Sequence, residues 1–495
     1  MNLMYHSTRN SNIKVTASQA ILQGLSPDGG LFVPEYIPKL TISMDRLSDM
    51  NYHELAYEVL KLYLTDYTED ELKDCISKAY DGKFDTPDIA PIRKAGRHFY
   101  LELYHGATIA FKDMALSILP HLLTTAARKN NISDEIVILT ATSGDTGKAA
   151  LAGFSDVKGT KIIVFYPKDG VSRVQEKQMV TQKGDNTYVI GINGNFDDAQ
   201  TGVKSIFNDK DLENKMTEAG LRFSSANSIN IGRLLPQIVY YIHSYIELYR
   251  RNEIAQGEKI NFVVPTGNFG NILAAYYAKQ MGLPINKLIC ASNDNKVLYD
   301  FFQTGVYDRN RDFILTISPS MDILVSSNLE RLIYSIAGDD THKTAEFMRA
   351  LSTEGIYEIT TDMRKRLECF VGGYATVDET KDSIHKVYTE TGYVIDTHTA
   401  VAVNVYDKYL NSDKDTKSVI VATASPYKFA ENVLEAITDK RIPEDDHEQA
   451  MLLKEISGVP IPDAINELHL AEIRHNKVCD TDKMRAEVEE ILKII

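Results

Sequence analysis

One lysine stands where its side chain could act as a nucleophile. Lys112 follows the largely apolar run 107–111 and precedes an amphipathic stretch that begins at Asp113. Burial among apolar neighbours disfavours the ammonium form, so the neutral amine becomes available as nucleophile and base. That is the chemistry required for a Schiff base with an aldehyde cofactor. A solvated lysine near a helix start is the ordinary alternative for this pattern.

The segment 142–148, Thr-Ser-Gly-Asp-Thr-Gly-Lys, superficially suggests a nucleotide-binding loop. A Walker A loop needs a glycine five residues before its Gly-Lys pair and a Ser or Thr after it, but this chain has Thr142 and Ala149 there. We therefore predict a turn rich in hydroxyls and backbone amides at a helix start, suited to a carboxylate or a phosphate. A capped helix with tight glycine packing is the structural alternative.

A second turn, 265–271 or Pro-Thr-Gly-Asn-Phe-Gly-Asn, lies between an apolar strand and an apolar helix. Such an arrangement points backbone amides at a bound anion, and phosphate is the expected guest. Gly267 and Gly270 would allow close approach of the backbone, and Asn271 is the expected N-cap of the helix. As a dinucleotide fingerprint the turn lacks its third glycine.

A third polar segment, 225–233 or Ser-Ala-Asn-Ser-Ile-Asn-Ile-Gly-Arg, precedes a long amphipathic helix predicted to reach about Arg251. Its Asn and Ser side chains could hold a second anion together with Arg233, whose guanidinium forms a bidentate fork. A polar loop with a helix cap would have the same composition. At the end of a later strand, the hydroxyl of Thr423 or Ser425 could face a ring nitrogen.

These segments must be positioned by α/β units. From about residue 95 the chain repeats short β-branched runs, small-residue turns and amphipathic stretches, which is typical of βα units on a parallel sheet. The predicted strands are 135–141, 160–167, 260–265, 287–292 and 418–424. Ligands bind at the carboxyl ends of such strands, where the turns lie. We predict an N-terminal region at 1–95, a catalytic α/β core of two subdomains at 96–440, and a C-terminal helical extension at 441–495.

Composition limits the classes of function. The chain has 495 residues, of which 43% are apolar and 25% charged, as in ordinary globular proteins. A net charge of -15 disfavours nucleic-acid binding and requires a local cluster of donors for any anionic substrate. Four dispersed cysteines predict neither a metal site nor a disulfide framework. Without a signal-peptide pattern or a long apolar run, we expect a cytoplasmic protein with no membrane partner.

Together, a lysine for an aldehyde, a glycine turn for a phosphate and a hydroxyl for a ring nitrogen describe a site for pyridoxal 5'-phosphate. In order and spacing the segments resemble the bacterial and fungal subgroup of the threonine synthase family, which are fold-type II pyridoxal-phosphate enzymes. The resemblance spans nearly the whole chain. It includes the blocks 7–9, 24–31, 105–113, 142–147, 226–233, 265–271, 396–400 and 423–429.

The resemblance implies a lyase that converts O-phospho-L-homoserine and water to L-threonine and phosphate, the last step of threonine biosynthesis. It also implies a tryptophan synthase β-like fold, with the cofactor in a cleft between parallel-sheet α/β domains and Lys112 as the catalytic lysine that carries it. The implied cofactor contacts besides Lys112 are Phe111, Asp145, Gly267, Asn268, Phe269, Gly270, Asn271 and Thr423. The implied substrate contacts are Ser143, Gly144, Thr146, Asn227, Ser228 and Arg233.

Several details stay open at this point. Ser425 stands where many relatives have His, so Thr423 and Ser425 are both candidates for the ring nitrogen. Asp145 stands where the wider fold-type II enzymes have Asn, which leaves the protonation at the cofactor's ring oxygen open. A phospho-lyase that releases 2-oxobutyrate and a catalytically silent binding protein are the alternative functions, and Lys112 argues against the second. The chain could act as a monomer or a homodimer.

Overall fold

The computed structural model describes residues 2–142 and 144–494. The strands are β1 (Tyr5–Ser7), β2 (Lys14–Val15), β3 (Phe32–Pro34), β4 (Ile92–Ala95), β5 (His98–Glu102), β6 (Glu135–Ala141), β7 (Thr160–Pro167), β8 (Thr187–Asn193), β9 (Leu221–Ser224), β10 (Ile260–Pro265), β11 (Ile285–Ser292), β12 (Val306–Asp308), β13 (Ile356–Glu358), β14 (Phe370–Tyr374), β15 (Ser418–Ala422) and β16 (Lys477–Asp480).

The α-helices are α1 (Ala17–Gln23), α2 (Met44–Ser48), α3 (Tyr52–Tyr63), α4 (Glu69–Ala79), α5 (Asp113–Leu116), α6 (Leu119–Lys129), α7 (Asp145–Phe154), α8 (Arg173–Val180), α9 (Phe196–Phe207), α10 (Lys210–Glu218), α11 (Ile231–Arg250), α12 (Gly270–Met281), α13 (Val297–Thr304), α14 (Leu329–Ile336), α15 (Thr341–Thr353), α16 (Thr361–Lys365), α17 (Val377–Thr391), α18 (Thr397–Tyr409), α19 (Ala430–Ile437), α20 (Asp446–Ser457), α21 (Asp463–Leu470) and α22 (Met484–Leu492). Short 3₁₀ helices lie at Pro319–Met321, Pro426–Phe429 and Thr481–Lys483.

The larger of two main sheets has the strand order β14-β11-β10-β15-β5-β4, and its strands are parallel except for the antiparallel edge pair β4 and β5. Val263 of β10 lies opposite Ile289 of β11 and Ile420 of β15. Every residue of β10 and β15 is buried, as expected where helices cover both faces of a parallel sheet. The strand predicted at 260–265 is confirmed, while those predicted at 287–292 and 418–424 become Ile285–Ser292 and Ser418–Ala422.

The second main sheet is parallel throughout, in the order β16-β8-β7-β6-β9. Its strands β6 and β7 match the predicted ranges 135–141 and 160–167. The edge strand β16 comes from the region predicted as a helical extension, and its Lys477 lies opposite Ile190 of β8. The C-terminal region is therefore not entirely helical. Only two apolar residues, Val478 and Cys479, stand in β16, so its sequence carries no strand signal without the partner strand.

Helix α11 lies in the largest hydrophobic core, and all but three of its twenty residues are buried. The same core contains residues of α1, α3 and α4, so the N-terminal region packs directly against the catalytic core. Helix α18 covers one face of the larger sheet, and α9 and α22 cover the outer face of the smaller sheet. Within residues 2–142 and 144–494, no helix is long and apolar enough to cross a membrane.

Candidate active site

Lys112 lies immediately before α5, with its side chain only 12% exposed. Its Nζ lies 3.2 Å from Oγ of Ser320 and 3.5 Å from Oδ2 of Asp145. The centroid of the Phe111 ring is 5.9 Å from the same nitrogen. Burial lowers the pKa of Lys112; Asp145 opposes this change, and the positive charge of Lys428 adds to it. The desolvation expected from the sequence is therefore present.

Backbone hydrogen bonds place the Lys112 turn beside the end of β15. The amide of Phe111 donates to the carbonyl of Thr423 at 2.8 Å, and the amide of Ser425 donates to the carbonyl of Ile109 at 3.0 Å. Ile109 has a φ of 52°, which is rare for a β-branched residue and costs about 1–3 kcal/mol. The surrounding contacts must hold this strained turn, and they thereby fix the position from which Lys112 extends.

Asp145 is the common partner of several side chains around Lys112. Its Oδ1 lies 2.9 Å from Nζ of Lys428 and accepts a hydrogen bond from Nε2 of Gln175 at 2.8 Å. Its Oδ2 accepts from Oγ of Ser320 at 2.8 Å. Burial alone would raise the pKa of Asp145, but the ammonium groups of Lys428 and Lys112 hold it well below its usual range. The carboxylate is thus charged and fully engaged.

Sequence reasoning assigned no role to Ser320, Lys428 or Gln175. The sequence around Lys428 could have indicated a functional lysine. Lys428 follows a buried strand and lies within an apolar run, and Lys112 likewise follows an apolar run. Ser320 lies in the region 300–385, where the sequence has no sharp motif. Nothing in its local sequence could have placed it beside a lysine 208 positions earlier in the chain.

The turn after β6 is shaped around Thr142. Oγ1 of Thr142 accepts hydrogen bonds from the amides of Gly144 at 3.0 Å and Gly147 at 2.9 Å, so these two amides are used within the turn. Gly144 has a φ of 129°, and a Cβ there would lie 2.4 Å from Cδ of Gln175, so only glycine fits. Thr146 is half-buried in the first turn of α7. Ser143 lies outside the described residues.

The glycine turn after β10 leads into α12, which begins at Gly270 with Phe269 as its N-cap. The prediction that Asn271 caps this helix is wrong. Phe269 adopts a left-handed conformation with a φ of 67°, and the N-cap lies two residues earlier than expected. Oδ1 of Asn271 instead accepts hydrogen bonds from the hydroxyls of Tyr240 and Tyr241, both at 2.6 Å. Within the described part of the chain, its buried Nδ2 has no partner.

Arg233 lies in the first turn of α11 and is 3% exposed. Its Nη1 donates to the carbonyl of Ala226 at 3.0 Å, whereas its buried Nε has no partner among the residues that the structure describes. Burial lowers the pKa of Arg233 to about 10. Earlier in the same segment, Asn227 is exposed and Ser228 is half-buried. The segment thus combines a buried cation with accessible polar groups.

Asn328 connects this segment to the glycine turn. Its Nδ2 lies 3.3 Å from Oγ of Ser228 and donates to the carbonyl of Asn268 at 3.1 Å. The adjacent Arg331 is fully buried and donates to the carbonyls of Ile229 at 2.6 Å and Phe32 at 3.0 Å. The N-terminal region therefore contacts the same framework that holds the two turns.

The residues present fit a cofactor that carries an aldehyde and a phosphate. Lys112 offers an amine whose pKa is lowered by burial, and Nδ2 of Asn271, which has no partner among the described residues, is a donor at the start of α12. A Cβ added at Gly270 would find no heavy atom closer than 3.5 Å, so the backbone there is open to close approach. Amine, donors and a helix start together suit an anionic aldehyde.

Gly267 and Gly270 are expected to differ in their effect on stability. A Cβ at Gly267 would lie 2.5 Å from the backbone carbonyl oxygen of Ser320, whereas one at Gly270 has space. Gly267→Ala should lower the free energy of unfolding by about 1–3 kcal/mol, and Gly270→Ala should change it by less than about 0.5 kcal/mol. Urea denaturation of both variants measures this difference, and equal stabilities would contradict it.

His105, at the start of the block that contains Lys112, lies between two carboxylates. Its Nδ1 is 2.6 Å from Asp85 and its Nε2 is 3.0 Å from Glu102. Burial alone would lower the pKa of His105, but the two carboxylates raise it to about 9. The folded state therefore holds this proton more tightly than the unfolded state, whose imidazole titrates near 6.5.

The contribution of His105 to stability should therefore be complete below pH 6.5 and should be lost as the pH rises through about 9. We expect wild type to be more stable than His105→Gln at pH 6, and the difference to shrink by pH 10. Urea denaturation across this pH range tests the prediction. A difference that grows with pH would contradict it.

Comparison with known proteins gives matches over the N-terminal region, the core and the C-terminal region. The family model described as "Threonine synthase N terminus" matches residues 4–80, and "Pyridoxal-phosphate dependent enzyme" matches residues 89–377. "Threonine synthase, C-terminal" matches residues 399–486. The three matches follow one another along the chain, as do the sequence blocks that carry the resemblance.

Individual relatives agree with these models. Threonine synthase-like 1 of Homo sapiens is 39% identical over 96% of this chain, but the chain spans only 66% of that protein's length. Threonine synthase of Schizosaccharomyces pombe is 37% identical over 86% of this chain and 87% of that protein. The crystal structure of pyridoxal-phosphate-bound threonine synthase from Brucella melitensis has a TM-score of 0.88 at 32% identity and covers 100% of this chain and 99% of that one. The fold-type II prediction is confirmed, and the chain belongs to the threonine synthase family of pyridoxal-phosphate-dependent enzymes.

Proposed function

We propose that this protein converts O-phospho-L-homoserine and water to L-threonine and phosphate. The observation that carries the proposal is the position of Lys112: a nearly buried amine in contact with a hydroxyl and a carboxylate, on a turn that the backbone joins to Thr423. A lysine with these neighbours can bind an aldehyde and then move protons. Membership of the threonine synthase family supports this choice of substrate.

Pyridoxal phosphate, when bound, withdraws electrons from the α carbon and then from the β carbon of the substrate. Lys112 would hold the cofactor covalently, with Phe111 beside it and Asp145 facing its ring oxygen. The turn from Gly267 to Asn271, including Asn268, Phe269 and Gly270, would hold its phosphate with backbone amides.

Thr423 and Ser425 both stay candidates for the ring nitrogen. Oγ of Ser425 accepts a hydrogen bond from the amide of Tyr427 at 3.3 Å and so caps the 3₁₀ helix Pro426–Phe429. That contact uses one lone pair of Ser425 and leaves its O–H free to donate, so the cap does not decide between the two hydroxyls. A neutral hydroxyl at Thr423 would leave the ring nitrogen without a proton and so moderate the withdrawal of electrons.

Lys112 would serve as the proton carrier of the reaction. Its amine would take the α proton, assist removal of the β proton, and later deliver water to the β carbon. Ser320 and Asp145 lie next to its Nζ and would orient the amine between these steps. Because burial lowers the pKa of Lys112, a larger fraction of its amine is neutral at a given pH than in an ordinary lysine, and only the neutral amine can take a proton.

Asn227, Ser228 and Arg233 would hold the phosphate of the substrate. The protein has a net charge of -15, so a doubly charged substrate requires local donors, and Arg233 is a buried cation with an unused Nε among the described residues. Ser143, Gly144 and Thr146 would form the turn that receives the substrate carboxylate at the start of α7. The dipole of α7 places partial positive charge at the start of this helix, which favours an anion there.

Product analysis with O-phospho-L-homoserine tests the proposed function. We expect L-threonine and inorganic phosphate in equal amounts from the protein loaded with pyridoxal phosphate. Formation of 2-oxobutyrate with phosphate would instead identify the phospho-lyase. Release of no phosphate by protein that has taken up the cofactor would identify a silent relative.

The cytoplasm as the site of the reaction, and action as a monomer or a homodimer, stay predictions. The four cysteines are free in the structure, which agrees with a reducing compartment. Size-exclusion chromatography with light scattering measures the assembly state.

A further inference from the structure

Lys428 is a second lysine in the candidate active site, and its side chain is 0% exposed. It lies in the 3₁₀ helix Pro426–Phe429, which three residues separate from the end of β15. Its Nζ donates to the carbonyl of Thr108 at 3.0 Å and lies 2.9 Å from Oδ1 of Asp145. A fully buried ammonium is costly unless it is paired, and Asp145 is the anion that pairs with Lys428.

Asp145 therefore faces two ammonium groups at unequal distances. Lys428 is in direct contact at 2.9 Å, whereas Nζ of Lys112 is 3.5 Å away, with Ser320 donating to the nearer oxygen. The other charged groups that act on these lysines are the guanidinium of Arg233 on Lys112, and Asp113 and Lys148 around Lys428. Two further cations, Lys428 and Arg233, thus act on Lys112 together with one carboxylate, that of Asp145.

This charge balance affects how strongly the amine of Lys112 holds its proton. A carboxylate that faced Lys112 alone would hold the proton on that amine, because each charge would stabilise the other. A second, closer ammonium uses the carboxylate and repels the charge on Lys112. The lowered pKa of Lys112, which burial causes first and to which Lys428 and Arg233 add, agrees with this balance.

We propose that Lys428 is a positioning residue that occupies Asp145 and so frees the amine of Lys112 to bond to the cofactor near neutral pH. In that step the lone pair of the neutral Lys112 amine attacks the aldehyde carbon. The two amine hydrogens leave with the carbonyl oxygen as one water molecule, and a C=N bond replaces the C=O bond. No electrons are gained or lost, so no further reactant is needed.

The inference rests on the role of Lys112 as the cofactor lysine, which is part of the proposed function, but not on the identity of the substrate. The test uses the full chain stripped of cofactor with hydroxylamine. Pyridoxal phosphate is added, and the rate constant of its capture is followed by visible absorbance between pH 6 and 10. Wild type is compared with Lys428→Gln, which keeps hydrogen-bonding groups without the charge, and with Lys428→Arg, which keeps the charge.

We expect Lys428→Gln to move the inflection of the rate profile upward by about one pH unit, which corresponds to about tenfold slower capture at pH 7. Lys428→Arg should give a profile within about threefold of wild type. An unmoved inflection in Lys428→Gln would overturn the proposal. Equal shifts in the Gln and Arg variants would also overturn it, because they would assign Lys428 a role in shape rather than in charge.

Asp145→Asn keeps the proposal testable if Lys428→Gln does not fold, as judged by circular dichroism. Loss of the carboxylate should move the inflection in the opposite direction, to lower pH, because the positive charge of Lys428 then acts on Lys112 without a carboxylate that offsets it. An unchanged or higher inflection would contradict the inference. Lys112→Ala in the same assay reports separately on the proposed function: normal capture by that variant would remove Lys112 as the cofactor lysine.

Discussion

Lys112→Ala is expected to lower turnover of O-phospho-L-homoserine by at least about 10³-fold, because the variant loses both the covalent hold on the cofactor and the group that moves protons. A small residual rate is possible only if cofactor held by its phosphate alone still reacts. Steady-state formation of L-threonine and phosphate measures the loss. Lys94→Ala is the matched control, since Lys94 is exposed on β4 and pairs with Glu253 at 2.8 Å.

Chemical labelling tests the assignment of Lys112 as the catalytic lysine without a measurement of turnover. Borohydride reduction of the loaded protein should fix the cofactor to one lysine, and peptide mapping should find it on Lys112. Lys428 and Lys148 are the other lysines that could carry the label, because both are largely removed from solvent close to Asp145 and Asp113. A label on either of them, or full turnover in Lys112→Ala, would show that the catalytic lysine is assigned wrongly.

The sequence carried enough information to locate the framework of the site. The strands Glu135–Ala141, Thr160–Pro167 and Ile260–Pro265 were predictable to the residue, because buried parallel strands are continuous apolar runs bounded by small or polar residues. The first and the last of these strands are each followed by a turn that the sequence marked as chemically unusual. The two turns belong to different sheets, so the rule for the carboxyl ends of one sheet does not bring them together; the resemblance to a family with its cofactor in a cleft between two domains does.

The partners of those turns could not be predicted in the same way. Asn271 has the residue type of an N-cap, but the left-handed backbone of Phe269 starts the helix earlier, and a tertiary contact with Tyr240 and Tyr241 decides the role of the asparagine. Ser320 reaches Lys112 only through the path of a long irregular segment. Contacts of this kind depend on packing between distant elements, for which local sequence has no period or spacing to read.

Lys428 is the intermediate case. The resemblance includes the block 423–429 that contains Lys428. A role for its ammonium group can be inferred only from the structure, which places it 2.9 Å from Asp145. The presence of Asp145 where the wider fold-type II enzymes have Asn is then no longer an isolated departure. An uncharged Asn would leave the buried Lys428 without an anion, so the aspartate and the second lysine are best understood as one unit.

Arg233→Lys is expected to lower kcat/KM for O-phospho-L-homoserine by about 10- to 150-fold, the equivalent of about 1.5–3 kcal/mol for a charge-assisted hydrogen bond left unmade. The lysine keeps the charge but not the planar fork. Its Nζ cannot donate to the carbonyl of Ala226, as Nη1 does at 3.0 Å, and at the same time offer the directed donor that Nε provides. Arg233→Ala should lose more, because it also removes the charge.

Part of this loss should appear in kcat as well as in KM. Phosphate is the leaving group, so its negative charge rises as the bond to the γ carbon breaks, and an interaction with Arg233 would strengthen in the transition state. The visible absorbance of the bound cofactor should stay normal in both variants, which separates a substrate role from a cofactor role. Arg222→Lys is the matched control, since Arg222 is exposed on β9, just before the same segment, and pairs with Asp134 at 3.2 Å. Wild-type kinetic constants in Arg233→Lys and Arg233→Ala would remove Arg233 from the substrate site, and a lost cofactor spectrum would reassign it to cofactor binding or to folding.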